Sequence, residues 1–185
     1  RAEVQYITLG FFQAAALIRQ ALPAIKIVVP AVPALKARIE HIAQQCGLGD
    51  ALQVVAGQSH TALAACDVTL IASGTATLEA ALFKRPMVIG YRMHALSWRL
   101  MRRKQLQPWV GLPNILCGEF VVPELIQDAA TPPALAAAVL QWFDARHSDP
   151  QRITALEQRF TALHHSLLRN TPQLAADAIR QVVND

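Results

Sequence analysis

Apolar residues recur every three or four positions at Val4, Ile7, Phe11, Ala15, Ile18 and Leu22, the stripe of an amphipathic helix that Pro23 ends. Lys26-Ile-Val-Val-Pro30 follows and predicts a short buried strand. A helix is predicted from Pro33 to Cys46, stopping at Gly47 or Gly49, then a strand over Leu52–Ala56 and a short helix over Gln58–Cys66. Asp67-Val-Thr-Leu-Ile-Ala72 is the clearest strand, β-branched and apolar on both faces. A helix over Thr75–Phe83, a turn at Lys84-Arg85-Pro86 and a strand over Met87–Gly90 complete the series. Near-continuous apolar strands alternating with helices predict βαβ units and an α/β fold, a Rossmann-like doubly wound parallel sheet.

Beyond Tyr91 the strand signal fades. His94–Lys104 reads as helix, Pro108–Gly118 as loop, and helices follow. Thr131-Pro132 and Thr171-Pro172 each place a hydroxyl before a proline at the first helical position, a helix-start signal. Ile153, Leu156, Phe160, Leu163 and Leu167 form an apolar stripe after Asp149-Pro150. The expected division is an α/β domain over residues 1–148 and C-terminal helices over 149–185. The last two helices have no strand of their own to cover and are expected to dock on another domain or a second subunit.

At 53% hydrophobic and 16% charged residues, the chain excludes a disordered or acidic solvating segment. Runs such as Val68–Ala72 fall far short of the about 20 apolar residues a membrane span needs. Cys46, Cys66 and Cys117 are odd in number and lack CxxC spacing, which argues for small buried thiols in a reducing compartment. His41, His60, His94, His147, His164 and His165 form no ligand set, so no metal is expected. The chain opens on Arg1 inside a helical pattern, without an initiator Met or signal peptide, and is expected to be part of a longer protein. Charge is uneven. Between Ala80 and Gly118 there is no acid, while Lys84, Arg85, Arg92, Arg99, Arg102, Arg103 and Lys104 give that window +7. Such an imbalance implies an anionic partner. Within it, Trp98, Arg99, Arg102, Arg103 and Lys104 interleave an aromatic with cations, which reads as membrane-surface contact, as a nucleic-acid patch or as a merely solvated basic face.

The sharpest local feature is Ser73-Gly74-Thr75-Ala76-Thr77-Leu78-Glu79, at the carboxyl end of the best strand and opening a helix. Ligands bind there in open α/β sheets, and the first helical turn offers N–H groups to phosphate. The plain alternative is that Ser73 or Thr75 is an N-cap. Glu79 has no capping partner, because the residue three before it is Ala76. A carboxylate one turn behind a phosphate site suits two neighbouring sugar hydroxyls; otherwise Glu79 is a solvated surface acid. Arg1 at a helix start could clamp a diphosphate, and Asn114 follows a rigid proline in Leu112-Pro-Asn-Ile115.

Taken together, Arg1-Ala-Glu-Val4, Ile27-Val-Val-Pro30, Ala72-Ser-Gly-Thr-Ala-Thr-Leu-Glu79, Pro86-Met-Val-Ile-Gly-Tyr-Arg92 and Leu112-Pro-Asn-Ile-Leu116 resemble the C-terminal half of the lipid-A-disaccharide synthases, in order and spacing along nearly the whole chain. The resemblance implies a GT-B glycosyltransferase of two Rossmann-like domains. Such an enzyme joins UDP-2,3-diacylglucosamine to 2,3-diacylglucosamine 1-phosphate and releases UDP, with inversion and without metal or cofactor. It implies that Arg1 and Asn114 are catalytic, Arg1 near the UDP diphosphate and Asn114 close to the donor. It implies that Ser73, Gly74, Thr75 and Ala76 face phosphate, that Glu79 takes the ribose, and that Tyr91 and Arg92 line the cleft. It further implies a cytoplasmic enzyme on the inner-membrane surface of a Gram-negative bacterium, homodimeric at full length, with no nucleic-acid partner. The family's N-terminal domain and the Gly-Ser before Arg1 are missing, so the chain alone is expected to bind UDP weakly without turnover. The alternatives are a UDP-GlcNAc transferase of the peptidoglycan-precursor type and a basic α/β module for membrane or nucleic acid.

Overall fold

The computed structural model describes residues 2–94, 98–99 and 107–184, and of residues 2–6 and 184 the backbone alone. Helix α1 (Ala2–Ala21) leads into β1 (Ile27–Ala31), which pairs in parallel with β2 (Leu52–Ala56) after α2 (Lys36–Gln45). Helix α3 (Ser59–Ala65) precedes β3 (Thr69–Ala72), α4 (Thr75–Leu82) and β4 (Met87–Tyr91). A short helix α5 (Leu112–Cys117) then precedes β5 (Glu124–Ile126). The order β3-β4-β5 is parallel throughout, with Ala72 opposite Gly90, Ile89 opposite Glu124 and Tyr91 opposite Ile126.

The α/β class with parallel strands agrees with the sequence pattern. The ladders nevertheless number two, β1-β2 and β3-β4-β5, among the described residues. Strand β1 also departs from the buried strand expected, since its residues alternate and Val28 is 48% exposed. Pro30 supplies a reason: with no N–H to give, it suits the margin of a sheet better than its middle. Strand β4 is different. Met87, Val88 and Ile89 are fully buried, so both of its faces are covered, as a parallel strand requires. Ala80 and Ala81 of α4 and Leu135, Ala136, Val139 and Trp142 of α6 (Pro132–Ser148) share that core. The buried Trp142 indole donates to the Met87 carbonyl at 3.0 Å. Helix α1 ties the ladders together, placing Ala14 and Ile18 in this core and Phe12 and Ala15 in a second one with Ala43 and Leu48.

Three expectations change in the second half. The stretch read as a loop contains α5, whose Pro113 sits in the first turn, where no N–H is needed, and which ends at Gly118 with φ +68°. Strand β5, only three residues long, was not predicted. The helix after Asp149-Pro150, α7 (Pro150–Leu167), buries Leu156, Phe160 and Leu163 in the main core of this same chain and so docks at home. The final helix α8 (Thr171–Asn184) leaves Leu174, Ile179, Val182 and Val183 exposed. Thr131 caps α6 by accepting from Ala134 N at 3.3 Å, and Asp149 caps α7 by accepting from Arg152 N at 3.2 Å. At α8 the accepting group is Asn170 Oδ1, 3.3 Å from Gln173 N, where Thr171 was expected. The cysteines are free and partly exposed, with Cys46 and Cys117 thiols raised above the ordinary value by burial first. No described helix is long and apolar enough to cross a membrane.

Candidate functional site

Strand β3 delivers the chain to Ser73 at its carboxyl end, and α4 starts immediately after. The N-cap is Gly74, with φ +149° and ψ −170°, a conformation essentially reserved for glycine. Nothing lies within 4 Å of where its Cβ would be, so backbone geometry and not crowding selects glycine here. No side chain caps this helix. The Ser73 hydroxyl instead donates to the Val110 carbonyl at 3.2 Å. The Thr77 hydroxyl donates to the Gly74 carbonyl at 2.7 Å. Both hydroxyls therefore serve carbonyls, and the exposed turn Gly74-Thr75-Ala76 presents its N–H groups at the positive end of the helix. The N-cap role considered for Ser73 or Thr75 is not what this turn uses.

Glu79 lies four residues after Thr75, one turn along the same helix face. Its carboxylate is 43% exposed, and Oε2 stands 3.5 Å from His60 Nε2 on α3. The His60 ring is tilted against Phe83, centroids 5.6 Å apart. Parallel pairing of β3 with β4 sets Ala72 opposite Gly90, so Ser73 and the segment Tyr91-Arg92 emerge side by side at the same sheet edge. Tyr91 is half-buried and Arg92 exposed. Turned so that both its amide groups are satisfied, Gln127 brackets the Met93 backbone, accepting from its N–H and donating to its carbonyl at 3.1 Å each. That contact fixes the chain just after Arg92.

Asn114 is fully buried, and its amide is taken up within the chain. Its Nδ2 donates to Val122 O at 2.9 Å and to Glu124 Oε1 at 2.7 Å. Its Oδ1 accepts from Val121 N at 2.8 Å and Val122 N at 3.0 Å. All four positions of a carboxamide are thereby filled. Asn114 thus clamps α5 to the chain entering β5. Glu124, which sequence reasoning missed, is its partner. The acid within Val121-Val-Pro-Glu-Leu-Ile126 was the available signal, a lone charge in an apolar run.

The basic window resolves into different roles. Lys84 Nζ donates to Leu82 O at 2.7 Å and to His164 Nδ1 at 2.8 Å. Arg85 donates through Nε to Leu63 O at 3.1 Å and through Nη2 to Ala64 O. These two cations neutralise the carboxyl ends of α4 and α3, which weakens the reading of the window as one nucleic-acid surface. Arg92 and Arg99 are exposed and Trp98 is partly so, with Trp98 N bonded to His94 O at 3.0 Å. Arg1, Arg102, Arg103 and Lys104 lie outside the described residues. Among those described, no three His, Cys, Asp or Glu side chains gather as a metal site.

The protein-family model described as lipid-A-disaccharide synthetase matches residues 1–179. The chain belongs to the lipid-A-disaccharide synthase family. A lipid-A-disaccharide synthase of Verminephrobacter eiseniae (strain EF01-2) is 70% identical over 182 residues, covering 98% of this chain and 47% of the relative. Another, of Albidiferax ferrireducens, is 69% identical over 183 residues, covering 99% of this chain and 47% of the relative. The relative from Thiobacillus denitrificans is 54% identical over 168 residues. The chain spans about half the length of the curated relatives it matches. In this chain the loop Ser73–Ala76 and the Tyr91-Arg92 segment share the carboxyl end of the three-stranded sheet, with Glu79 one turn into the helix behind the loop.

Proposed function

We propose that this chain is the donor-binding half of a glycosyltransferase of lipid A assembly, which joins UDP-2,3-diacylglucosamine to 2,3-diacylglucosamine 1-phosphate. Family membership supports the reaction, and the open first turn of α4 is the observation that supports the site. The diphosphate lies against the N–H groups of Gly74, Thr75 and Ala76, Glu79 accepts from the ribose hydroxyls, and Tyr91-Arg92 flanks the cleft. Asn114 acts one step back, holding α5. Arg1 is assigned to the diphosphate by family resemblance.

The acceptor hydroxyl oxygen attacks C1 of the donor sugar from the face opposite the diphosphate. The C1–O bond to UDP breaks with inversion, and the hydroxyl proton passes to a base contributed by the rest of the enzyme. Negative charge grows on the departing diphosphate. Fixed N–H dipoles of the α4 turn meet it without reorganising, the kind of contribution worth on the order of 10²–10³ in rate for one donor. No metal is needed for this step. The exposed Arg99, with Trp98, Arg102, Arg103 and Lys104, faces anionic lipid, giving a peripheral enzyme on the cytoplasmic side of the inner membrane. The exposed apolar side of α8 meets the remainder of the protein or a second copy in a homodimer.

Amide hydrogen exchange of the enzyme at the full length of its relatives tests the site. UDP should slow exchange at Thr75 and Ala76; slowing confined to other segments would remove the assignment. Turnover of acylated donor and not of plain UDP-GlcNAc separates this reaction from the peptidoglycan-precursor type.

A further inference from the structure

We propose that Glu124 is the positioning residue of the donor site, acting through Val110 on Ser73; this rests on the donor-site reading above. The Glu124 carboxylate heads β5, where pairing with Ile89 fixes its backbone. Its Oε2 accepts from Val110 N at 2.9 Å. Its Oε1 accepts from Gly111 N at 2.9 Å and Asn114 Nδ2 at 2.7 Å. Three donors thus converge on one carboxylate, two of them backbone N–H groups of consecutive residues. The approach is close: a Cβ on Gly111 would run into Ile89 Cδ1 and stand 2.7 Å from Glu124 Oε1.

The Val110 residue is held at both of its polar groups. Its N–H is fixed by Glu124, and its carbonyl accepts the Ser73 hydroxyl proton. A serine hydroxyl has one proton to give. With that proton on Val110, Ser73 cannot donate to a diphosphate, and anion recognition falls to the backbone N–H groups of the α4 turn. Glu124 therefore decides which donors the loop offers, without touching the ligand. A displaced Val110 carbonyl releases the Ser73 hydroxyl to turn, and the preorganised arrangement of the turn is lost.

The test is Glu124→Gln in the full-length enzyme, with donor KM and kcat measured in wild-type and Ser73→Ala backgrounds. Glutamine keeps the shape but has one acceptor oxygen, so at least one backbone N–H loses its partner. Expected is a rise in donor KM of about ten-fold, the size typical for a lost charge-assisted bond, with kcat changed less. The same substitution should raise KM less than two-fold when Ser73 is already alanine, because the pathway runs through that hydroxyl. Equal factors in both backgrounds, or an unchanged KM beside a lowered melting temperature, overturn the proposal and leave the donor site standing. If wild-type enzyme binds no UDP, the donor reading itself falls. Should Glu124→Gln not fold, Ser73→Ala alone decides: an unchanged donor KM removes the link.

Discussion

His60 Nε2 and Glu79 Oε2 stand 3.5 Å apart, joining the start of α3 to the second turn of α4 beside the candidate phosphate turn. The side chains are 72% and 43% exposed. An exposed pair of this kind contributes about 0.2–1 kcal/mol, so His60 steadies Glu79 without being essential to it. His60→Ala should raise the Kd for UDP by no more than about five-fold. In the proposed donor site, Glu79→Ala would remove a charged acceptor from the ribose, a loss of about 1.5–3 kcal/mol, or roughly 10- to 150-fold in Kd. Calorimetric titration with UDP and with 2′-deoxy-UDP separates the two contributions. A Glu79→Ala penalty that is as large for the deoxy nucleotide as for UDP would contradict contact with both hydroxyls.

Asn114→Ala is expected to act on stability before it acts on binding. The change strands the N–H groups of Val121 and Val122 and takes one of three donors from Glu124. An orphaned buried polar group costs about 1–3 kcal/mol. For a domain of this size that is a fall of about 2–12 °C in Tm. Asn114→Asp keeps the oxygen that Val121 and Val122 use but sets a second carboxylate against Glu124, and should be no better. Differential scanning calorimetry checks both. Unchanged melting with abolished turnover would return Asn114 to direct contact with substrate.

Period and punctuation were enough to read most of the first ninety residues. The apolar run Val68–Ala72 before Ser73-Gly74 marks β3 and the turn behind it, and β2 falls on the residues its pattern names. What a linear pattern cannot carry is which oxygen a hydroxyl chooses. Ser73 looks like a cap yet donates to a carbonyl, as Thr77 does inside the helix. Asn114 follows a proline as turn residues do, yet it is saturated by strand-side partners seven to ten positions away. Strand β5 escaped because three residues span barely one period of alternation, and its place depends on Ile89 and Tyr91 across the ladder. The charge of Lys84 and Arg85 was legible, but its destination on helix carbonyls was not.

The thiols give a pH-dependent signature. Burial raises the Cys46 thiol, and it raises Cys117 more than the nearby Arg159 guanidinium lowers it, with Glu119 adding to the rise. A folded-state pKa above the unfolded value means that the native state holds these protons more tightly. The associated stability is complete below the unfolded thiol value of about 8.5 and is lost as pH rises through the raised folded values. Urea midpoints should therefore decline as pH rises above about 8.5, and less so in the Cys46→Ala, Cys117→Ala double variant. Iodoacetamide at pH 8 should modify both thiols faster in urea than in the native protein. Equal rates in the two states would contradict the shift.

Phe160 is fully buried against the core that also holds Met87 and Ile89, whereas Val182 on the next helix is 78% exposed. The two helices α7 and α8 therefore answer differently to truncation. Phe160→Ala opens a cavity beneath α4 and α5 and is expected to cost about 3–5 kcal/mol, equivalent to a fall of about 6–20 °C in Tm. Val182→Ser removes nothing that this chain buries and should stay within about 0.5 kcal/mol of wild type. Thermal melts of the 185-residue chain measure both. A Phe160→Ala protein that melts like wild type would detach α7 from the core. Repeating Val182→Ser at the full length of the relatives adds the decisive comparison: a loss of stability there, absent in the shorter chain, locates the surface that covers α8.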